Sequence, residues 1–235
     1  MKLNYKIAGL TVSMDSYGRT AEQASPYKTS SVEKPDFHVE SIREKVKQKY
    51  PSILEDEAEY IGTGVYFYRE LLKYNGFQLH SSAVVVDGKA YLFSADSGTG
   101  KSTHTGLWLK QFGERAYILN DDKPALRLID GIWHAFGTPW SGKHDISVNT
   151  GVPVAGICMI ERGEVNEIKP FSGKDAIFEV YVQTNRPKST ENRIRLLELL
   201  DNLFANVPVW KMKCNMEPDA AIISYEAMSG KKMEE

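Results

Sequence analysis

The chain has 235 residues, 42% of them hydrophobic and 26% charged, which is enough apolar material for one α/β core with a smaller appended region. A formal net charge of −2 with no long basic stretch excludes a large nucleic-acid or anionic-membrane footprint. No apolar run approaches the ~20 residues that span a bilayer, and the start lacks the basic and apolar regions of a signal peptide, so the sequence reads as cytoplasmic.

In chain order, residues 1–40 read as strands and loops: Tyr5 to Val12 has β character, and Ser25 to Pro35 is polar, Ser/Pro-rich and loop-like. Ser41 to Tyr50 is a short charged helix stopped by Pro51. A second helix is predicted from Asp56 to Tyr74, with Ile61, Val65, Tyr68 and Leu72 on its apolar face and Asn75-Gly76 as a left-handed stop. The texture changes at Phe77. Ser81 to Val86 and Ala90 to Ser94 form a hairpin turned by Asp87-Gly88, followed by a glycine-rich turn and a helix from Ser102 to Phe112. Ala116 to Leu119 is a short buried strand ending in Asn120-Asp121-Asp122. A second hairpin, Ala125 to Ile129 and Ile132 to Phe136, turns at Asp130-Gly131, and Val154 to Ile160 is an apolar strand. Thr190 to Ala205 reads as an amphipathic helix with Ile194, Leu197, Leu200 and Phe204 on one side. A strand from Val209 to Met212 and a helix from Pro218 to Met228 follow. Strands and helices alternate through the centre, so the class is α/β. Cys158 and Cys214 stand far apart, without CxxC or zinc-ligand spacing, and read as reduced thiols.

The segment Ala95-Asp96-Ser97-Gly98-Thr99-Gly100-Lys101-Ser102-Thr103 carries the chemistry. A strand, a glycine-rich turn and a helix N-terminus bring backbone N–H groups into one concavity that suits phosphate, while the following lysine and hydroxyl reach the β/γ-phosphates and Mg²⁺. Ser97, Gly98, Thr99, Gly100, Lys101, Ser102 and Thr103 are therefore the candidate nucleotide contacts. The first glycine of the G-x-x-x-x-G-K-[ST] pattern is Ala95 here, which is compatible with the turn if its φ is negative. Downstream, Asp121-Asp122 stands at a strand end, where a carboxylate beside Mg²⁺ belongs. We assign Asp121 with Ser102 to the metal and Asp122 to the proton of an attacking hydroxyl, the sequence leaving open which carboxylate does which.

With these residues in place, His80 to about Pro208 resembles the C-terminal domain of HPr kinase/phosphorylase, within the wider group of P-loop proteins related to phosphoenolpyruvate carboxykinase. The likeness is carried by His80-Ser81-Ser82-Ala83, the glycine-rich turn, and Asn120-Asp121-Asp122-Lys123-Pro124. Gly137-Thr138-Pro139-Trp140-Ser141-Gly142-Lys143 and Val207-Pro208-Val209 extend it. It implies a mixed sheet flanked by helices over residues 77–235, while residues 1–76 read on their own as a small α+β region. It further implies use of ATP and Mg²⁺, phosphoryl transfer to a hydroxyl, His80 near the transferred phosphate, an arginine (Arg186) on the phosphate, and a homo-oligomer. The first ~75 residues do not match the family's N-terminal domain, so HPr itself is not implied as acceptor. Lys143 is a second candidate cation, and Trp140 a candidate lining of the acceptor pocket; the other tryptophans read as core.

The leading expectation is an ATP-dependent phosphotransferase acting on a hydroxyl of a protein, peptide or small molecule. A non-catalytic nucleotide-binding regulator and an ATPase are the alternatives. No N-K-x-D sequence is present to read guanine.

Overall fold

The computed structural model describes residues 3–30 and 34–233. At the N-terminus, β1 (Leu3–Ile7) and β2 (Leu10–Met14) form a hairpin, and β3 (Phe37–Val39) adds to β2 in parallel. Helix α3 (Glu55–Leu71) packs on this small sheet, and α1 (Gly18–Ala24) and α2 (Arg43–Lys49) pack on α3. The expected Ser25–Pro35 loop begins with a 3₁₀ turn over Ser25–Tyr27, and its residues 31–33 lie outside the described residues.

The larger sheet begins with β4 (Gly76–Gln78), β5 (Ser81–Val86) and β6 (Lys89–Ser94). After α4 (Lys101–Phe112) come β7 (Ala116–Asp122), β8 (Ala125–Ile129), β9 (Ile132–Phe136) and β10 (Gly151–Arg162). β11 (Glu167–Pro170), α5 (Gly173–Val182), α6 (Thr190–Asn206), β12 (Val209–Cys214) and α7 (Asp219–Ser229) complete the chain. The path β4-β8-β9-β10-β6-β5-β7 is one mixed, curled sheet, with β12 and then β11 branching from β10. Branching is possible because β10 is long: Gly151 to Pro153 pairs antiparallel with β9, and the rest runs parallel to β6 and β12. Both sequence-predicted two-residue turns are present, with positive φ at Asp87-Gly88 and at Asp130-Gly131.

Strand alternation builds two cores, one on each face of the sheet. Ala83 and Val85 of β5 join Leu92, Leu119 and the buried side of α6, while Val84 and Val86 join Phe93, Trp108 and Tyr225 under α4 and α7. With helices on both faces, β5 is buried at every position. A third core lies in the N-terminal layer, where Tyr5, Ile7, Val12, Phe67 and Leu71 enclose Trp140 and Ala125 from the other part of the chain.

Two helices turn a different face inward from the one their hydropathy pattern suggested. On α3, the predicted Tyr68 and, just beyond its end, Leu72 are buried, but Ile61 and Val65 remain 36% and 38% exposed, and the buried side also holds Tyr60, Thr63, Gly64, Phe67 and Leu71. Gly64 marks this side because the Trp140 ring lies only 2.8 Å from where a Cβ would stand, a close approach that a count of apolar residues misses. On α6, the buried residues are Leu196, Leu199, Leu200 and Leu203, whereas Ile194 and Leu197 are exposed. Four leucines at i, i+3, i+4 and i+7 make a tighter stripe than the predicted set, which shares only Leu200 with them. We therefore expect Leu200→Ala to cost about 2–5 kcal/mol in denaturant unfolding, against under about 0.5 kcal/mol for Ile194→Ala. Comparable losses would mean that α6 packs on its predicted face.

Candidate active site

Strand register assembles the site. β5 lies between β6 and β7 and is antiparallel to both, so β6 and β7 end at the same edge of the sheet. Ser81 is opposite Ser94 on one side and Asp122 on the other. The glycine-rich turn, which follows Ser94, and the acidic pair, which ends β7, must therefore meet beside His80.

In the turn, Gly98 and Gly100 have φ of 82° and 121°, which glycine adopts without steric cost, and Ala95 is not among the residues with positive φ, as the motif requires of it. Helix α4 starts at Lys101, leaving its first-turn N–H groups without intrahelical partners and its positive end toward the turn. Lys101 is buried and donates to the carbonyls of Ala95 (2.9 Å) and Asp96 (3.2 Å). Burial holds its pKa below the ordinary lysine value, partly offset by the charges of Asp122, Asp121 and Asp96. The next residue, Ser102, donates from Oγ to both Asp121 carboxylate oxygens, at 2.9 and 3.0 Å.

Asp122 sits one residue on with φ of 118°, a strained backbone for a side-chain-bearing residue. Its Oδ1 is 3.0 Å from His80 Nε2 and its Oδ2 is 3.1 Å from Lys123 Nζ. Burial pushes its pKa up, but the His80 hydrogen bond and the Lys123 charge outweigh that and bring it down to about 2. The other His80 nitrogen, Nδ1, is 2.8 Å from Gln183 Oε1, and Gln183 Nε2 donates to Asp96 Oδ1 at 2.8 Å. A chain of polar contacts thus runs from Asp122 through His80 and Gln183 back to the turn.

The segment after β9 is folded onto the acidic pair. Gly142 donates to the Asp121 carbonyl at 2.5 Å, and a Cβ there would lie 2.8 Å from that oxygen. Asn120 Nδ2 donates to the carbonyls of Thr138 and Trp140, and Asn120 Oδ1 accepts from Lys123 N–H. From α3, Tyr68 donates to the Lys123 carbonyl and Tyr60 accepts from Ser141 N–H.

The sequence-predicted residues thus divide. Lys101, Ser102, Asp121, Asp122 and His80 are brought together; Ser97, Gly98 and Thr99 border a cavity of about 510 Å³, and Thr103 is exposed on the first turn of α4. Arg186 is exposed and lines a different cavity, between α2 and α3, and Lys143 is exposed on its loop. Trp140 is 1% exposed, stacks on Phe67 and donates to Thr63; it is a core residue that reaches only a small crevice of about 80 Å³ beside Lys123. The cation found at the turn is Arg162 at the end of β10, which donates to the Gly98 and Thr99 carbonyls at 2.6 and 3.3 Å. Arg162 ends β10 and Gln183 caps α5, positions that no local motif marks, whereas Asn120 and Lys123 flank the acidic pair in sequence.

Hydroxyl and carboxylate oxygens from Ser102 and Asp121 are hard donors that fit Mg²⁺, which keeps most of its water shell and uses one or two protein ligands. Among the described residues, no group of three His, Cys, Asp or Glu is placed to hold a metal by itself. Cys158 and Cys214 are both free, and no described helix is long and apolar enough to cross a membrane.

No protein-family model matches the chain, and no curated protein matches it in sequence. Solved structures do match, among them the HPr(Ser) kinase/phosphatase from Coxiella burnetii, at a TM-score of 0.37 and 11% identity. That match covers 65% of this chain and 95% of the other. Likeness at this level is a distant one of fold.

Because the folded Asp122 pKa lies below its unfolded value of ~3.9, its pairing stabilises the fold above that pH and is lost as pH falls toward about 2. Wild type is expected to exceed Asp122→Asn by about 1–2 kcal/mol at pH 7, after screening of this partly exposed group. Urea titrations should show the gap closing below pH 4; a gap independent of pH would contradict the ion pairing.

Proposed function

We propose that the chain is an ATP-dependent phosphotransferase that moves the γ-phosphoryl group to a hydroxyl acceptor. The observation that carries this reading is the Ser102–Asp121 contact at a P-loop, with a second carboxylate, Asp122, directly beyond it and paired to His80. Nucleotide binding alone needs the turn and Lys101; it has no use for a second carboxylate on a strained backbone.

In this reading the P-loop and the N-terminus of α4 hold the β- and γ-phosphates, with Lys101 leaving its two carbonyl partners to meet them. Arg162 braces the turn. Ser102 and Asp121 would hold Mg²⁺, which neutralises charge on the phosphate oxygens when bound. The acceptor oxygen forms its bond to the γ-phosphorus as the bond to the β-phosphate oxygen breaks, ADP leaves, and the acceptor proton goes to Asp122. A carboxylate of low pKa is adequate because phosphoryl transfer passes through a loose transition state in which positioning and electrostatics dominate. His80 and Lys123 fix the Asp122 carboxylate from two sides.

With γ-labelled ATP, Mg²⁺ and a cytosolic extract as acceptor source, wild type should label a hydroxyl-bearing acceptor. Lys101→Ala should abolish transfer, and Asp122→Asn should reduce it about 10²–10⁴-fold while leaving nucleotide affinity within a few-fold. Tight ATP binding with no transfer to any acceptor would refute the reading and favour a nucleotide-binding regulator. Release of inorganic phosphate without label transfer would favour an ATPase.

A further inference from the structure

Outside the phosphate site, the feature with the most distinctive chemistry is a groove of about 630 Å³ between α2, α3 and residues 185–192. Its floor is apolar: Ile42 just before α2 and Val46 within it, Ile61 and Val65 from α3, then Leu72 and Pro187. These include the two α3 residues that the hydropathy pattern placed in the core and the fold leaves open. Lys45, Lys49, Arg69, Arg186 and Lys188 also line it, and none of its lining residues is acidic. In a chain with 31 Asp and Glu against 29 Lys and Arg, five lining cations, of which only Arg69 is paired among the described residues with a carboxylate, that of Glu70, are a local excess. Lys45, Arg186 and Lys188 make no ion pair among the described residues, so their charge is uncompensated at this surface.

The groove adjoins a crevice that reaches Lys123, next to the candidate active site. Ile61, Val65 and Asn185 also line a neighbouring crevice of about 80 Å³, whose other walls include Gly64, Tyr68, Trp140 and Lys123. Lys123 is the residue whose ammonium lies 3.1 Å from Asp122. The crevice has room for one small side chain and ends one ion pair away from the carboxylate that would take the acceptor proton.

We propose that this groove docks the acceptor, and that the acceptor is an acidic segment of a protein or peptide. Bulky apolar side chains of that segment fill the floor between α2 and α3, and its carboxylates face Lys45, Lys49, Arg69, Arg186 and Lys188. A serine or threonine then enters by the crevice beside Lys123. Its Oγ takes the phosphoryl group from ATP, its proton passes to Asp122, and ADP departs. The nucleotide would occupy the turn and the cavity bordered by Arg162, so that donor and acceptor approach from different sides. This assignment of the acceptor rests on the phosphotransferase reading; the docking itself does not.

Two degenerate peptide pools test it, each with a fixed central serine and variable apolar positions, one flanked by Glu and Asp, the other by Lys and Arg. Fluorescence anisotropy should show the acidic pool binding at least about tenfold tighter, with affinity falling as salt rises. Lys101→Ala should bind the acidic pool as wild type does. The double variant Lys45→Glu/Lys188→Glu, both on exposed positions, should lose about tenfold or more for the acidic pool and reverse the preference, with peptide-free ATP turnover unchanged. Equal binding of the two pools, or indifference to charge reversal, overturns the docking proposal. So does a change in oligomeric state, or loss of binding to phosphatidylserine vesicles, as the only effect of the double variant. Groove-dependent binding of the acidic pool without label on its serine supports the docking and overturns the phosphotransferase reading separately.

Discussion

Everything at the candidate site depends on the position of β5. A strand buried at every position, antiparallel to both neighbours, compels β6 and β7 to finish at the edge where β5 begins. The turn after β6 and the carboxylates at the end of β7 are then neighbours without any contact of their own to bring them there. Ser81, opposite both Ser94 and Asp122, sets this to the residue, and a slip of one position would exchange the faces on which Asp121 and Asp122 stand. Burial of alternating β5 residues against two separate cores holds the strand in place, and a one-residue register shift toward β7 between Ala83 and Val84 brings Asp122 opposite Ser81. The chemistry at the edge is thus stabilised by packing well inside the protein.

The N-terminal layer supports the same edge from the other side. Tyr60 and Tyr68 of α3 bond the backbone on both sides of the acidic pair, at Ser141 and at Lys123, and Gly142 closes directly over Asp121. Arg19 of α1 adds contacts to the Gly142 carbonyl and to Asp145. Asp122 keeps its unfavourable φ within this frame, held by His80, Lys123 and the clamped loop. The N-terminal layer is therefore part of how the acidic pair is held.

The sequence made the local devices legible and the long-range ones only in part. Turn chemistry at Asp87-Gly88 and Asp130-Gly131, the strand–turn–helix around Lys101, and the acidic pair were visible because each is encoded by adjacent residues. Their convergence was inferred from a motif order and is realised through strand pairing. Gln183 and Arg162 could not be read: one precedes α6 and the other ends β10, and only the three-dimensional pairing of β10 with β6 brings the latter to the turn. Hydropathy does not mark the buried helix face where small residues make the contact, as at Gly64, or where an excess of leucines permits two stripes, as in α6. Trp140 sits in a glycine-rich loop yet is buried, because α3 supplies Phe67 and Tyr68 as partners from far away in sequence.

The central claim is that Ser102 and Asp121 are a preassembled half of a nucleotide–metal site, and the most direct test is calorimetric. ATP binding should be measured with and without Mg²⁺ in wild type and in Asp121→Asn. The account predicts that Mg²⁺ tightens ATP binding to wild type by tenfold or more, and that Asp121→Asn loses this gain while keeping its metal-free affinity. An equal response to Mg²⁺ in both proteins would contradict it.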